Sequence, residues 1–298
     1  MNITIIGGGA IGLLSASYLK KQGHCIRLVV RTKKQELEIK ENGILKEKQG
    51  EIDTVSVDVH SFKDFSIDKE ELIIVAVKQT NVNWLIDWLN KMIRSHVPVL
   101  FLQNGMGHLQ RAEKILPNEI IAGVVTHGAV RSSLNRVVHT GVGDIKIGGD
   151  ASIERMLHKL ECEDPDFLLS WTPDIDIIIR KKLLVNAVVN PLTAIYNVKN
   201  GELLKRGTLF TEAWQVFQEA SLLLDLPFGE WEHVQDIIKK TSENRSSMLM
   251  DILNKKETEI EAMTGYLLAL SEKRGILATK LMDIHLKVKE MEKGRKDE

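Results

Sequence analysis

A glycine-rich loop between a short apolar run and a helix is the feature that most constrains how this chain folds. Residues 2–6 (NITII) have the composition of a buried parallel strand, and residues 13–23 continue with helical spacing up to a glycine. A second β-rich run, CIRLVV, occupies 25–30. The loop after the first strand consists of Gly7, Gly8, Gly9, Ala10, Ile11 and Gly12. A strand, a G-x-G-x-x-G loop, a helix and a second strand within about 30 residues predict a dinucleotide-binding unit.

Three of these glycines have separate physical tasks in such a loop. Gly7 permits the tight turn out of the strand, Gly9 lets the backbone approach a pyrophosphate, and Gly12 lets helix and strand pack closely. The N-terminus of the helix adds N–H donors and the positive end of its dipole. A glycine-rich turn that binds no ligand is the alternative, and the strand–loop–helix–strand context favours the binding site.

The residue that ends the second strand indicates which dinucleotide is bound. Proteins that use NAD usually carry an Asp or Glu there, which binds the ribose 2′-OH. Here the residue is Arg31, followed by Thr-Lys-Lys at 32–34. A guanidinium can bind a 2′-phosphate with two hydrogen bonds, whereas a carboxylate would repel it. We therefore predict NADP(H) as the cofactor; a solvated basic loop is the alternative interpretation.

Strands and helices keep alternating along the first half of the chain. Strands are predicted at 52–58, 71–77, 98–103 and 120–125, helices at 80–94, 107–116 and near 151–162, and a hairpin at 136–148. This alternation predicts an α/β fold, with a parallel, doubly wound sheet of the Rossmann type. An acidic, proline-containing segment at 161–166 is read as a break in the chain.

The second half shows almost only helical periodicity. Helices are predicted at 178–197, 208–224, 231–241, 247–273 and 277–292. The resulting organisation is an NADP-binding Rossmann-like domain at 1–168, followed by a mainly helical, substrate-binding domain at 169–298.

Composition excludes several other classes of function. Forty Lys and Arg residues against 41 Asp and Glu leave a net charge of −1, which argues against a nucleic-acid partner. No run approaches the roughly 20 apolar residues that span a bilayer. Only two cysteines are present, far apart, so neither a disulfide framework nor a zinc cluster is expected. We expect a cytoplasmic chain with no metal and a small-molecule partner; a homodimer is compatible with these features.

A polar row on an otherwise apolar helix is the strongest candidate for chemistry. Lys182, Asn186 and Asn190 recur at intervals of four residues and therefore share one face. A buried amide without a partner costs roughly 1–3 kcal/mol, so a polar ligand would explain these residues. The alternative is that the amides satisfy neighbouring helix ends while the lysine extends to solvent.

Other candidates lie at strand ends and at a helix start. Lys78 and Asn104 each follow a predicted strand, at the edge where ligands bind to open α/β sheets. Ser247 lies at the start of a helix, a position that favours a hydroxyl. Glu259 stands in a charged stretch, where an exposed acid is the simpler interpretation. His127 is a conceivable acid or base, which we rank below Lys182 because it belongs to no polar row.

These residues stand in runs that resemble the ketopantoate reductases (2-dehydropantoate 2-reductases) over essentially the whole chain. The most specific runs are KLLVNAVVNPLTAIYNVKNGEL at 182–203 and ENRSSMLMDI at 243–252. The remaining marks are GGGAIG at 7–12, Arg31, VKQTNV at 77–82, QNGMG at 103–107, THGAVR at 126–131 and TEIE at 258–261.

The resemblance implies NADPH-dependent reduction of ketopantoate to (R)-pantoate, a step towards pantothenate and coenzyme A. It implies that Lys182 is the proton donor. The substrate contacts that it implies are Asn104, Lys182, Asn186, Asn190, Asn200 and Ser247. The cofactor contacts that it implies are the loop 7–12, Arg31, Lys78, Asn104, Ala129 and Glu259. A reductase of the same build acting on another branched 2-keto acid is the nearest alternative, and a non-catalytic NADP sensor is a second.

Overall fold

The chain folds into two compact units. The computed structural model describes residues 1–63, 65, 70–93, 96–205 and 207–293. One unit comprises Met1–Gln103 and His108–Ile175, and the other comprises Asn104–Gly107 together with the chain from Asp176 onward. The sequence placed the division between 168 and 169, whereas the structure divides the chain after Ile175, since the strand at 167–171 is paired within the first unit.

The first unit is a mixture of strands and short helices. Its strands are β1 (Asn2–Ile6), β2 (Cys25–Val30), β3 (Ile44–Lys48), β4 (Glu51–Val55), β5 (Asp58–Ser61), β6 (Leu72–Val75), β7 (Val99–Phe101), β8 (Ile120–Val125), β9 (Gly128–Arg131), β10 (Arg136–Gly141), β11 (Asp144–Gly148), β12 (Cys162–Asp164) and β13 (Phe167–Trp171). Its helices are α1 (Ala10–Lys21), α2 (Lys33–Asn42), α3 (Val82–Met92), α4 (Gly107–Ile115) and α5 (Glu154–Leu157), with 3-10 turns at Gln79–Asn81, Ala151–Ile153 and His158–Leu160. The last residue of the helix predicted at 80–94 lies outside the described residues.

The large sheet confirms the doubly wound architecture. Its strand order is β12-β13-β11-β8-β7-β6-β1-β2-β5. The six strands β5, β2, β1, β6, β7 and β8 are parallel to one another, and β11 pairs antiparallel with β8. This is the Rossmann order, in which the direction of winding reverses between β1 and β6. The reversal separates the loops that follow β1 and β6, and it leaves a crevice for a ligand at the carboxyl ends of these strands.

A second sheet has the order β4-β3-β10-β9, and two sequence predictions for the strands of this unit failed. The hairpin predicted at 136–148 is wrong: β10 pairs with β3 and β9, and β11 pairs with β8 and β13. The chain passes from one sheet to the other at Gly143, where a Cβ atom would lie 2.5 Å from the main chain of Thr126. The predicted break at 161–166 is also wrong, because it contains β12, which pairs antiparallel with β13.

The second unit is helical, as predicted. Its helices are α6 (Ile175–Tyr196), α7 (Glu202–Lys205), α8 (Gly207–Leu223), α9 (Glu230–Lys240), α10 (Ser247–Leu253), α11 (Tyr266–Arg274) and α12 (Thr279–Lys293). The single helix predicted at 247–273 is instead α10, a connecting segment, a π-helix at Glu261–Gly265 and α11. Leu184, Ala187 and Val188 on α6 are fully buried in the core of this unit.

Within the described residues, no helix is both long enough and apolar enough to cross a bilayer.

Candidate active site

The loop after β1 can be built only from glycine at two of its positions. Gly7 has a φ of +126°, and a Cβ there would lie 2.7 Å from the main-chain carbonyl of Ala76. A Cβ on Gly12 would lie 1.8 Å from the carbonyl oxygen of Gly7, so α1 can approach β1 only without a side chain. Gly9 is different, since the nearest atom to its Cβ position is 3.8 Å away. The loop is therefore tightly packed at Gly7 and Gly12, whereas the space beside Gly9 is open.

The N-terminus of α1 has the properties of an anion site. Gly9 is its N-cap, no side chain caps the helix, and the first turn contains no acid. The first N–H groups of a helix have no partner within it, and they carry partial positive charge. A pyrophosphate would satisfy these groups, so the loop fits the diphosphate of a dinucleotide.

Arg31 is exposed at the carboxyl end of β2, directly before Thr32, the N-cap of α2. Glu36, one turn into α2, is buried and accepts hydrogen bonds from Lys33 at 2.9 Å and Lys40 at 2.7 Å. Burial alone would raise the pKa of Glu36, but the hydrogen bonds from Lys40 and Lys33 outweigh it and hold this pKa at about 2. The acid is neutralised by its two lysines, which leaves the neighbourhood of Arg31 suited to an anionic group.

Two further residues assigned to the cofactor lie in or shortly after strands of the first unit. Lys78 is exposed just after β6 and leads into the 3-10 turn. Ala129 is half-buried in β9. A hydrogen bond of 2.9 Å from Nη1 of Arg131, also in β9, to the carbonyl oxygen of Gly8 brings this strand to the glycine loop. The first unit thus places β9 at the predicted cofactor loop.

The polar row on α6 is half-buried at Lys182 and Asn186 and buried at Asn190. The amide of Asn190 donates to the Sδ atom of Met263 at 3.6 Å. A thioether is a weak acceptor, so this buried amide retains capacity for a stronger partner. The neighbouring Lys181 forms an ion pair with Glu230 at 2.7 Å. The ammonium of Lys181 is therefore held at the start of α9.

Asn200 and the start of α10 add further polar groups. The amide of Asn200 donates to Thr241 at 3.0 Å, and its buried Oδ1 atom has no partner within the described structure. Ser246 is the N-cap of α10, since its hydroxyl accepts from the N–H of Leu249 and from Thr193. Ser247 is exposed in the first turn. Of the two serines, Ser246 stabilises the fold and Ser247 is accessible to a ligand.

The contact between Asn104 and Glu259 could not be read from the sequence. The segment Asn104–Gly107 belongs to the helical unit, and the amide of Asn104 donates to Oε2 of Glu259 at 3.0 Å. Gly105 has a φ of +84°, and a Cβ there would lie 2.4 Å from the carbonyl oxygen of Ala262 in the π-helix. Residues more than 150 positions apart are thereby joined, and only the Asn-Gly pair in the sequence hinted at an unusual turn.

His127 lies in a buried chain of hydrogen bonds. Its Nδ1 atom accepts from the N–H of Gly143 at 3.1 Å and lies 3.2 Å from Nε2 of His139, whose other nitrogen contacts the hydroxyl of Tyr18. Burial, with a smaller contribution from His139, lowers the pKa of His127 to about 4. The ring is neutral near pH 7, and its contacts are those of a structural residue.

Comparisons with known proteins assign both units to the same family. The model of the family described as ketopantoate reductase PanE/ApbA matches residues 3–151, and the model of its C-terminal region matches residues 174–292. A 2-dehydropantoate 2-reductase of Bacillus subtilis (strain 168) is 38% identical over 99% of this chain and 98% of its own. One from Listeria innocua is 32% identical over 92% of this chain and 90% of its own.

Solved structures give the same result. The crystal structure of a probable 2-dehydropantoate 2-reductase from Bacillus subtilis has a TM-score of 0.89 and 37% identity, covering 98% of this chain and 100% of that chain. A D-mandelate dehydrogenase with NADH has a TM-score of 0.86 at 22% identity, covering 99% of both chains, and thus shares the fold.

The packing of Gly105 generates a prediction about stability. Gly105→Ala should lower the free energy of unfolding by about 1–3 kcal/mol, because the methyl group meets main-chain atoms and the positive φ is strained. Gly229→Ala is the matched control, since nothing lies within 4 Å of its Cβ position. Urea unfolding of the full chain compares them, and equal midpoints for both variants would contradict the tight contact.

Proposed function

The chain belongs to the ketopantoate reductase family and is an oxidoreductase, and on that premise we propose that it reduces 2-dehydropantoate to (R)-pantoate with NADPH. The observation that carries the proposal is the polar row Lys182, Asn186 and Asn190 on α6, with the weakly partnered amide of Asn190 at its buried end. The product would serve pantothenate and coenzyme A synthesis, as the names of the relatives suggest.

The cofactor half of the proposal rests on the first unit. The residues that would hold the dinucleotide are Gly7, Gly8, Gly9, Ala10, Ile11, Gly12, Arg31, Lys78 and Ala129, to which the family resemblance adds Asn104 and Glu259. The uncapped N-terminus of α1 supports pyrophosphate binding, and the exposed Arg31 supports a 2′-phosphate. When bound, NADPH supplies the hydride that reduces the keto carbon.

The substrate half rests on the second unit. In the proposed reaction, negative charge develops on the keto oxygen as its carbon accepts the hydride. The ammonium of Lys182 stabilises this charge and then donates a proton to the oxygen, which completes the hydroxyl group. Asn186 adjoins Lys182 on the same face of α6 and would bind the same end of the substrate.

Neutral donors and acceptors would hold the rest of the substrate. Asn190, Asn200 and Ser247 offer amide and hydroxyl groups to its carboxylate and hydroxyl. The buried Oδ1 of Asn200 has no partner in the described structure, and its unused capacity to accept would suit a substrate hydroxyl. Asn104 would contact both substrate and cofactor, and its hydrogen bond to Glu259 fixes its orientation. These groups bind polar ligand atoms without adding a buried counter-charge.

Two further properties stay predictions. A cytoplasmic location follows from the proposed pathway. A homodimer is the assembly we propose, because a structural neighbour from Staphylococcus aureus is named as a dimeric ketopantoate reductase and because Met282 and Leu286 on α12, with Leu277 just before it, expose apolar surface.

Steady-state oxidation of NADPH with a panel of 2-keto acids tests the proposed function. Ketopantoate should give the highest kcat/KM. A higher value for another branched 2-keto acid would assign the chain to a different substrate of the same reaction. No turnover with any 2-keto acid, despite measurable NADPH binding, would instead indicate a sensor.

Replacement of Arg31 tests cofactor selection. Arg31→Ala should raise the KM for NADPH far more than the KM for NADH, because only NADPH carries the 2′-phosphate that the guanidinium would bind. Initial rates measured over a range of each cofactor at saturating ketopantoate give both values. Equal increases in the two KM values would contradict this role for Arg31.

Replacement of Lys182 tests the chemical step. Lys182→Ala should lower kcat by at least ~100-fold, the scale expected for loss of a general acid or oxyanion donor. NADPH affinity should change little, because the glycine loop and Arg31 are unaltered. Both kcat and the NADPH dissociation constant are measured on the same preparations.

Lys181→Ala is the matched control for that measurement. It removes a lysine from the adjacent position, whose ammonium is paired with Glu230. Lys181→Ala should lower kcat only slightly. If Lys181→Ala were the inactive variant, the assigned register of the row would be wrong, and if both variants kept full turnover, proton donation by a lysine on α6 would be abandoned.

A further inference from the structure

Arg131 carries a positive charge to the glycine loop, although the sequence assigned it no role. It is the last residue of β9, an edge strand of the second sheet, and its side chain is exposed. Its Nη1 atom donates to the carbonyl oxygen of Gly8 at 2.9 Å. In the described structure no carboxylate lies within 4 Å of its guanidinium. The charge is therefore anchored by a neutral carbonyl and is not cancelled by an acid.

The same carbonyl of Gly8 has a second donor. The buried carboxamide of Gln35, in the first turn of α2, donates to it at 2.8 Å and also to the carbonyl of Leu134 at 2.7 Å. Two donors on one oxygen fix the plane of this peptide group. Since the C=O and N–H of a trans peptide point in opposite directions, the N–H of Gly9 is turned away from Gln35 and Arg131.

The position of Gly8 places Arg131 near the end of β2. A Cβ on Gly8 would lie 2.7 Å from a methyl group of Val30, and Arg31 is the next residue in the chain. The guanidinium of Arg131 is thus bonded to a residue, Gly8, that packs against Val30 at the end of β2. Lys33, close after Arg31 in the chain, is bonded to Glu36. Arg131 therefore reaches the glycine loop beside the end of β2, the segment that carries Arg31 and at which the adenosine ribose would bind.

We propose that Arg131 is a specificity-determining residue, which binds the 2′-phosphate of the cofactor together with Arg31. This inference rests on the proposed use of NADPH. A guanidinium has five N–H donors in a fixed plane, and one of them is used on Gly8. The others can bind phosphate oxygens, and the hydrogen bond to Gly8 holds the group in place before the ligand arrives.

Binding measurements on variants of the full chain separate phosphate binding from support of the loop. Arg131→Gln removes the charge, and Gln35→Leu removes the other donor to Gly8 without changing any charge. Arg155→Gln changes the net charge equally at an exposed position on α5. Binding of NADPH and NADH is measured by fluorescence, and binding of 2′,5′-ADP and 5′-AMP is measured by calorimetry.

Arg131→Gln should lower the affinity for NADPH and for 2′,5′-ADP by about 10- to 100-fold, the range expected for loss of a charge-assisted hydrogen bond. NADH and 5′-AMP should change little, and Arg131→Lys, which keeps the charge, should recover part of the loss. Gln35→Leu should leave the ratio of NADPH to NADH affinity unchanged, even where both affinities fall. Arg155→Gln should match the unaltered chain.

Two outcomes would overturn the inference. Equal losses for NADPH and NADH in Arg131→Gln would show that the residue only supports the loop. Affinities equal to those of Arg155→Gln would show that it does not contact the cofactor. Failure of the unaltered chain to bind NADPH would count against the proposed function instead. Thermal unfolding without ligand shows whether each variant is folded. If Arg131→Gln does not fold, the binding measurements are made on Arg131→Lys, which should still weaken binding of NADPH more than binding of NADH.

Discussion

The missing side chains at Gly7 and Gly12 are the constraint on which the first unit depends. A Cβ on Gly12 would lie 1.8 Å from the carbonyl oxygen of Gly7, and one on Gly7 would meet Ala76 after β6. Without these atoms, β1, α1 and the end of β6 come close together where the winding of the sheet reverses. This approach exposes the N-terminus of α1 beside an open Gly9, and the loop becomes a cradle for an anion.

The candidate site combines main-chain groups with neutral side chains, and few charges are buried in it. Glu36 is the clearest buried acid near the cofactor loop, and Lys33 and Lys40 neutralise it. On the helical side, Asn190 and Asn200 are buried amides whose hydrogen-bonding capacity is only partly used. Preorganised neutral dipoles and one lysine suit a reaction in which charge appears on an oxygen only transiently.

Predictions from local periodicity were confirmed for elements whose formation depends on one continuous stretch of sequence. The order of β1, α1 and β2 and the helices α8, α9 and α12 follow from local periodicity. Such predictions failed for the segment 136–148, whose strands pair with partners far away in the chain. They failed also for 247–273, where a connecting segment separates α10 from the π-helix, and the contact of this π-helix with Gly105 is encoded by no local pattern.

The sequence by itself determined the family, the glycine loop and the i, i+4, i+8 row on α6, since each depends on residue types at short spacing. Only the tertiary structure decided which side chains act together. It paired Lys181 with Glu230, joined Asn104 to Glu259, buried His127 beside His139, and set Gln35 and Arg131 on the carbonyl of Gly8. These contacts join residues between 12 and 155 positions apart, and side-chain identity at one position cannot specify a partner that the fold brings from another.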